Sequence, residues 1–94
     1  MENTFTAKIE RYDMPGGWHF VPVPSELSIQ FEYLALHFGF IAITAKVGGT
    51  TWPTSLLPGG NKRYFIALPA KVRAKEKLKL ADEIEISFEP RANG

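Results

Sequence analysis

Residues 47–69, VGGTTWPTSLLPGGNKRYFIALP, constrain the fold of this chain more than any other stretch. Glycine pairs at 48–49 and 59–60 allow the backbone to take positive φ at little steric cost, so the chain can reverse sharply at both places. Between them lie Thr, Trp and Leu residues of the types that favour β-sheets. The stretch therefore predicts a hairpin turn and two strands. It indicates little about activity.

Four further segments have strand patterns. Residues 4–12 alternate apolar and polar side chains, which is typical of a half-buried strand. Residues 18–23 form a second strand, in which Pro22 cannot donate a ladder hydrogen bond and predicts an edge position or a bulge. Residues 40–46 are almost wholly apolar and predict a central strand. In residues 83–89, isoleucine and phenylalanine alternate with glutamate, which predicts a last half-buried strand.

Two helices are predicted, each beginning at a proline. Pro24 suits the first helical position, and Gly39 suits the position just after the helix. Apolar residues between them recur with helical spacing and form the predicted inward stripe: Leu27, Phe31, Leu34, Ala35 and Phe38. The second helix is predicted over residues 69–78, with a basic outer face and three inward residues: Ala70, Ala74 and Leu78.

The second half of the chain repeats parts of the first. Residues 5–9, FTAKI, are echoed by residues 43–47, ITAKV. Residues 19–24, HFVPVP, are echoed by residues 64–69, YFIALP, and a predicted helix follows the proline in both places. Two echoes in the same order predict an internal duplication of β-β-α-β units.

These patterns predict one compact, mainly β barrel with two helices. The 94 residues fit a single domain. The duplication divides it into halves of about residues 1–39 and 40–94, related by a pseudo-two-fold axis.

Composition excludes several classes of protein. The chain has no cysteine, which excludes disulfides, thiol catalysis and thiolate metal sites. No apolar run approaches the roughly 20 residues that a membrane-spanning helix needs. The N-terminus lacks the pattern of a signal peptide, so cytoplasm is the expected location. No cofactor is expected.

Three motifs resemble those of a small bacterial family of domains of unknown function. The segments GGWHFVPVP, GGTTWPTSLLP and LPAKVRAKEKLKLADEIEI are similar to that family's patterns GGWxFVxVP and GGTTWxTSL, followed by a Leu-Pro strand end. The positions that match are Gly16, Gly17, Trp18, Phe20, Val21, Gly48, Gly49, Thr50, Thr51, Trp52, Thr54, Ser55, Leu68 and Pro69.

The resemblance implies a particular fold. The family is sometimes fused to a helical bacteriocin-protection domain of the YdeI/OmdA-like type, which is not expected in these 94 residues. Its fold resembles the double-split β-barrel of AbrB/MazE-type regulators, in which swapped hairpin units of two chains form one barrel. The resemblance implies that one chain holds both units here, and it implies no catalytic residue.

The chain departs from the family pattern in its last turn. Lys77 and Ala81 stand where the pattern has glycine. Because a residue with a Cβ loses on the order of 1 kcal/mol at positive φ, this turn is expected to take another shape.

Four residues are candidates for ligand binding: Trp18, Trp52, Thr54 and Ser55. The tryptophans could line a ligand cleft or belong to the core, and the core interpretation is favoured. Thr54 and Ser55 could be nucleophiles, but the sequence nominates no base to activate them. The leading hypothesis is a non-enzymatic module that binds a small molecule or a protein. His19 and His37 are expected to be structural, and no metal site is predicted.

Nucleic-acid binding is the alternative hypothesis, and a small enzyme with a pKa-shifted group in a cleft is the third. Seven of the eleven basic side chains lie within residues 61–80, although the net charge is only +1. Binding to phosphates would require a contiguous basic face, and the acidic last strand would weaken its field. The candidates for this alternative are Lys62, Arg63, Lys71, Arg73 and Lys75. The expected oligomeric state is a monomer or a weak homodimer.

Overall fold

A computed structural model of the chain describes residues 3–12, 18–34, 40–59 and 63–91. The strands are β1 Asn3–Lys8, β2 Glu10–Arg11, β3 His19–Val23, β4 Ile41–Val47, β5 Thr50–Pro58, β6 Tyr64–Ala67 and β7 Glu83–Pro90. The helices are α1 Ser25–Ser28, which continues as a 3₁₀ segment Ile29–Leu34, and α2 Ala70–Glu76.

The strands form one antiparallel sheet in the order β1-β7-β4-β5-β6-β3-β2. Its two outer members, β1 and β2, are consecutive in the chain and are separated by Ile9 alone. The Ile9 N–H donates to the Asp82 carbonyl at 2.8 Å, and the Ala81 N–H donates to the Ile9 carbonyl at 2.9 Å. The sheet therefore wraps into a nearly closed barrel, so the prediction of a mainly β barrel with two helices is confirmed.

The predicted alternation places the core inside this barrel. In β1, Phe5 is buried while Thr4 and Thr6 are exposed. Apart from Ser28 of α1, the largest fully buried side chains come from β3 to β7 and from the residues that follow β1 and β6: Ile9, Val21, Ile41, Ile43, Leu56, Ile66, Leu68, Ile86 and Phe88. Burying this apolar area is the main source of stability of the fold.

The central position predicted for β4 agrees with the sheet, whereas β3 is not an edge strand and is unpaired on one side only around Pro22. The apolar strand β4 pairs with β5 on one side and with β7 on the other, so it is central. Pro22 lies in β3 opposite Phe65 of β6, and it lies past the end of the two-residue strand β2. A proline there removes no hydrogen bond to β2.

The first helix differs from the prediction of one continuous α-helix. The α-helical part has four residues, Pro24 is its N-cap, and the chain then tightens into 3₁₀ geometry. The buried Ser28 hydroxyl donates to the Ser25 carbonyl at 3.4 Å, and such local bonds compete with regular helix. Leu27 and Phe31 of the predicted stripe pack against the core. Ala35, Phe38 and Gly39 lie outside the described residues.

The second helix buries a different face from the predicted one. Val72 is its buried residue, whereas Ala70 and Ala74 are exposed. A valine removes more apolar area from water than an alanine does, so Val72 determines the orientation of α2. Leu78 packs against the core, as predicted, but it lies beyond the helix end.

The last turn keeps a glycine-like conformation, so the prediction of another shape was wrong. Lys77 has φ +57° and Ala81 has φ +74°. The Lys77 N–H donates to the Ala74 carbonyl at 3.4 Å and the Leu78 N–H to the Arg73 carbonyl at 2.8 Å, which is a Schellman helix end. Ala81 is held by its bond to Ile9, which continues the β1–β7 ladder. These bonds maintain positive φ without glycine.

Candidate functional site

The antiparallel pairing of β3 with β6 brings distant residues together at one end of the barrel. Phe20 lies opposite Ala67, so the next residues along, His19 and Leu68, are neighbours. The Leu68 N–H donates to the His19 carbonyl at 2.9 Å. Pro69 follows as the N-cap of α2, so the start of β3, the end of β6 and the start of α2 meet here.

A cleft of about 330 Å³ lies at this junction. This volume is at the lower end of the roughly 300–1,000 Å³ of small-molecule sites. Its apolar lining comes from Leu57, Ala67, Leu68, Pro69 and Ala70, and its other described residues are Trp18, His19 and Arg73. We call it the Trp18 cleft.

Arg73 presents a partly anchored guanidinium group to the cleft. Its Nε donates to the Leu68 carbonyl at 3.0 Å, which fixes the group at the cleft wall. Its Nη1 and Nη2 make no hydrogen bond or ion pair with any described residue. The side chain is half-buried. Four N–H donors of a held cation are therefore left without a partner among the described residues.

His19 lines the cleft and has a buried ring nitrogen that lacks a partner in the described chain. The residue is half-exposed, but its Nδ1 is buried and has no hydrogen-bond partner among the described residues. Burial lowers the pKa of His19 below its usual 6.5, and the positive charges of Arg73 and Arg11 lower it further. The imidazole is therefore neutral around pH 7, with one nitrogen that donates and one that accepts.

Trp18 forms an exposed aromatic wall of the cleft. The residue is 55% exposed. Its carbonyl accepts a hydrogen bond of 3.0 Å from the Tyr12 N–H. Its ring packs edge-on against the Tyr12 ring, and the two ring centroids are 6.5 Å apart. Tyr12 in turn contacts the rings of Phe20 and Phe65. Trp18 is therefore held in place from one side while much of the indole faces solvent.

The other three ligand-binding candidates lie outside the Trp18 cleft. Trp52 is 9% exposed and belongs to the core, and its Nε1 has no hydrogen-bond partner in the described part of the chain. Thr54 is half-buried two residues further along β5, so it shares the face of Trp52. Ser55 points to the opposite face and lies across from Ala42. Binding of a ligand by Trp52, Thr54 and Ser55 stays a prediction.

The basic candidates do not share one face of α2. Lys71 and Lys75 are exposed and four residues apart, so they lie on the same side of the helix. Arg73 lies two residues from each, which places it on a different side, where it lines the cleft. Arg63 is exposed just before β6, and Lys62 lies outside the described residues.

A second polar contact joins the β4–β5 turn to α2. The Thr50 hydroxyl donates to Glu76 Oε2 at 2.5 Å, and Thr50 is buried. Gly48, at the turn, has φ +58°, and a Cβ on it would meet the Glu76 carboxylate. Neither Thr50 nor Glu76 lines the Trp18 cleft. The contact therefore holds the turn against the helix rather than forming part of the site.

Other kinds of site find little support in the described ranges. Within residues 3–12, 18–34, 40–59 and 63–91, no group of three or more His, Cys, Asp or Glu residues could hold a metal ion. His37 lies outside these ranges. Of the helices that the structure describes, none combines the length and the apolar character needed to cross a membrane.

Sequence reasoning missed His19 and Arg73 as parts of one site. His19 was expected to be structural, and Arg73 was grouped with the basic run. The echo between residues 19–24 and 64–69 was a usable signal, because pairing these segments antiparallel brings position 19 to position 68. The second helix begins just after position 68, so the same pairing also brings Arg73 close to His19.

The fold and the cleft together define a small, mainly β barrel domain with an amphipathic cleft beside a short helix. The chain belongs to the family described as Domain of unknown function (DUF1905), whose model matches residues 5–88. This match confirms the expectation of a domain of unknown function. A search of curated proteins found no match to the chain.

Proposed function

We propose that this domain is a non-enzymatic module that binds a small molecule in the Trp18 cleft. The observation that supports the proposal most strongly is the composition of that cleft. The largely exposed Trp18, an apolar floor, His19 and an Arg73 whose Nη1 and Nη2 have no partner in the described chain line a cleft of about 330 Å³. Apolar surface with a few convergent polar groups is typical of ligand sites.

Binding is favoured over catalysis by what the cleft contains. None of its described lining residues is Ser, Thr, Cys, Asp or Glu, so the described lining offers neither a hydroxyl or thiol nucleophile nor a carboxylate base. His19 could move a proton, but the described lining provides no nucleophile for it to activate. The described residues are therefore sufficient to hold and orient a ligand but supply no catalytic set.

Thermal-shift screening with a broad metabolite set tests this proposal. We expect at least one compound to raise the melting temperature of the wild-type protein, and we expect Trp18→Ala to abolish that shift. Leu80→Ala is the matched control, because Leu80 is also exposed, at 52%, but does not line the cleft. A screen without stabilising compounds, or hits that stabilise Trp18→Ala equally, would contradict the proposal. Capture of a protein partner through Trp18 would contradict a small-molecule ligand and would support a module that binds a protein.

Nucleic-acid binding remains the second candidate. The observation in its favour is the pair of exposed lysines, Lys71 and Lys75, on one face of α2. Retention on mixed duplex DNA at about 50 mM salt, lost as salt is raised and reduced by Lys71→Gln with Lys75→Gln, would support it. No retention at low salt would exclude it.

We further infer that the barrel is of the double-split, AbrB-like type. The boundary between its two units differs from the predicted one, which gave halves of about residues 1–39 and 40–94: moving it to the β4–β5 turn gives units of residues 3–47 and 50–90. Each unit has the order strand, strand, helix, strand, with β1 and β2 counted as one interrupted strand. The pairs β3·β6 and β4·β7 then join equivalent strands, and β1·β7 corresponds to β5·β4. In this scheme the echo between residues 5–9 and 43–47 relates non-equivalent strands. Superposition of the two units in a crystal structure tests the inference, and units that do not superpose would refute it.

The same proposal includes a cytoplasmic location and a monomeric or weakly dimeric state. Sedimentation equilibrium over a wide concentration range tests the oligomeric state. A stable dimer at low micromolar concentration would contradict it.

A further inference from the structure

We propose that the ligand of the Trp18 cleft is an organic anion that joins a carboxylate to an aromatic or apolar body. This inference rests on the proposed function, because it names the class of small molecule that the cleft takes.

The charge of the ligand follows from Arg73. Its guanidinium is held by the Leu68 carbonyl through Nε, which leaves Nη1 and Nη2 without a partner in the described chain. None of the described lining residues is acidic, so none of them neutralises this half-buried cation. The planar guanidinium group matches a carboxylate better than any neutral group. A ligand with a carboxylate supplies the missing counter-charge.

The body of the ligand follows from the rest of the lining. Leu57, Ala67 and Pro69 present apolar surface, and Trp18 presents an indole face that is largely exposed. A small inorganic anion would pair with Arg73 but would leave this apolar surface in water. A ring attached to the carboxylate covers it, and stacking on Trp18 adds a preferred geometry.

His19 makes binding sensitive to pH. Its Nδ1 is buried without a partner in the described chain, and the described charged groups that act on it are Arg73 from α2 and Arg11 from β2. Both are positive, so they oppose protonation of the empty cleft. A bound carboxylate offsets them and favours the imidazolium, so binding takes up a proton. The affinity for the anion therefore rises as the pH falls from the pKa of His19 in the complex toward its pKa in the empty cleft, which lies below 6.5.

Three related compounds separate the charge from the ring: phenylacetate, phenylacetamide and acetate. In ¹H–¹⁵N titrations of the wild-type protein, we expect phenylacetate to shift the backbone amides of His19, Leu68 and Arg73 saturably. Phenylacetamide keeps the ring without the charge, and acetate keeps the charge without the ring. Each is expected to bind at least about tenfold more weakly. Phenylacetamide loses the charge-assisted bidentate pair, which is roughly twice as strong as neutral hydrogen bonds, and acetate loses the apolar area that the ring buries.

Two arginine variants test the assigned partner. Arg73→Gln is expected to weaken phenylacetate binding by about tenfold or more, and Arg73→Lys to weaken it less, because lysine keeps the charge but loses the planar donor pair. Arg63→Gln is the matched control, since Arg63 is exposed and does not line the cleft. The dispersion of the amide spectrum shows that each variant is folded.

The outcomes distinguish this inference from the proposed function. Equal binding of phenylacetate and phenylacetamide, or of phenylacetate to Arg73→Gln and wild type, would overturn the anion while leaving the cleft as a binding site. No shift with phenylacetate at roughly 10 mM, ten times the Kd of a millimolar ligand, would also overturn it. If the metabolite set then gave neutral or cationic ligands in the cleft, the proposed function alone would survive. If no compound bound at all, both would fail.

Discussion

Gly48→Ala tests the contact between the β4–β5 turn and α2. Gly48 has φ +58°, and a Cβ added there would meet the Glu76 carboxylate, which accepts a hydrogen bond from the buried Thr50 hydroxyl. The carboxylate is the end of a flexible side chain, so we expect it to move away from the new methyl group. Thr50 would then lose its partner.

The magnitude combines three terms. A residue with a Cβ loses about 1–2 kcal/mol in the left-handed region. Alanine also reduces the conformational entropy of the unfolded chain, which offsets about 0.4–1 kcal/mol of this loss. Leaving the Thr50 hydroxyl without its carboxylate acceptor costs about 1.5 kcal/mol. We therefore expect Gly48→Ala to lower the free energy of unfolding by about 2 kcal/mol.

Urea denaturation with two further variants completes this test. Gly49→Ala is the matched control, because a Cβ there meets nothing within 4 Å and its φ is not positive. We expect it to be neutral or to stabilise by up to about 1 kcal/mol. In a Glu76→Ala background, Gly48→Ala should cost only the backbone term of about 1 kcal/mol or less. Equal effects of Gly48→Ala and Gly49→Ala, or an undiminished cost without Glu76, would refute the explanation.

Three more predictions concern stability and use urea midpoints. Lys77→Gly should raise the free energy of unfolding by about 0.5 kcal/mol, because φ is +57° there. Its control Lys75→Gly, inside α2, should lower it by about 1 kcal/mol; destabilisation by both would contradict the cause. The lowered pKa of His19 means that the unfolded state binds a proton first below pH 6.5, so stability should fall on acidification from there and His19→Gln should reduce that fall; an unchanged slope would contradict it. Leu56→Ala, at a site with 0% exposure, should cost about 2–5 kcal/mol, and a cost under about 1 kcal/mol would contradict the packing.

The strands were predictable because their side chains alternate with the period of a sheet. Phe5, Ile84 and Ile86 are buried as the pattern predicts, and the central position of β4 followed from its lack of polar residues. Alternation reports burial directly, so it survives in the folded chain.

The helices were less predictable because short helices are determined by their contacts. The stripe beginning at Leu27 and Phe31 fits both α and 3₁₀ geometry over so few turns, and the Ser28 hydroxyl favours the tighter form. In α2, the partial burial of Glu76 could not be predicted from the sequence, because a glutamate is usually exposed. Its environment depends on Thr50, which is 26 residues away and reaches it only in the folded barrel.

The candidate site was predicted through one of its residues. The sequence does not distinguish the environments of Trp18 and Trp52. In the folded sheet, Trp18 lies just before β3 and is exposed, whereas Trp52 is buried in the core. The roles of His19 and Arg73 depend on the pairing of β3 with β6, which the echo of residues 19–24 in residues 64–69 hinted at without specifying register.

Fluorescence of single-tryptophan variants tests most directly whether the Trp18 cleft binds a ligand. The chain has two tryptophans, so Trp52→Phe leaves Trp18 as the sole indole and Trp18→Phe leaves Trp52. Titration with phenylacetate, and with the compound that most raises the melting temperature, should change the emission of the Trp52→Phe protein saturably. It should leave the Trp18→Phe protein unchanged, because Trp52 lies in the core. Equal changes in both variants, or no change in the variant that retains Trp18, would contradict a binding site at this cleft.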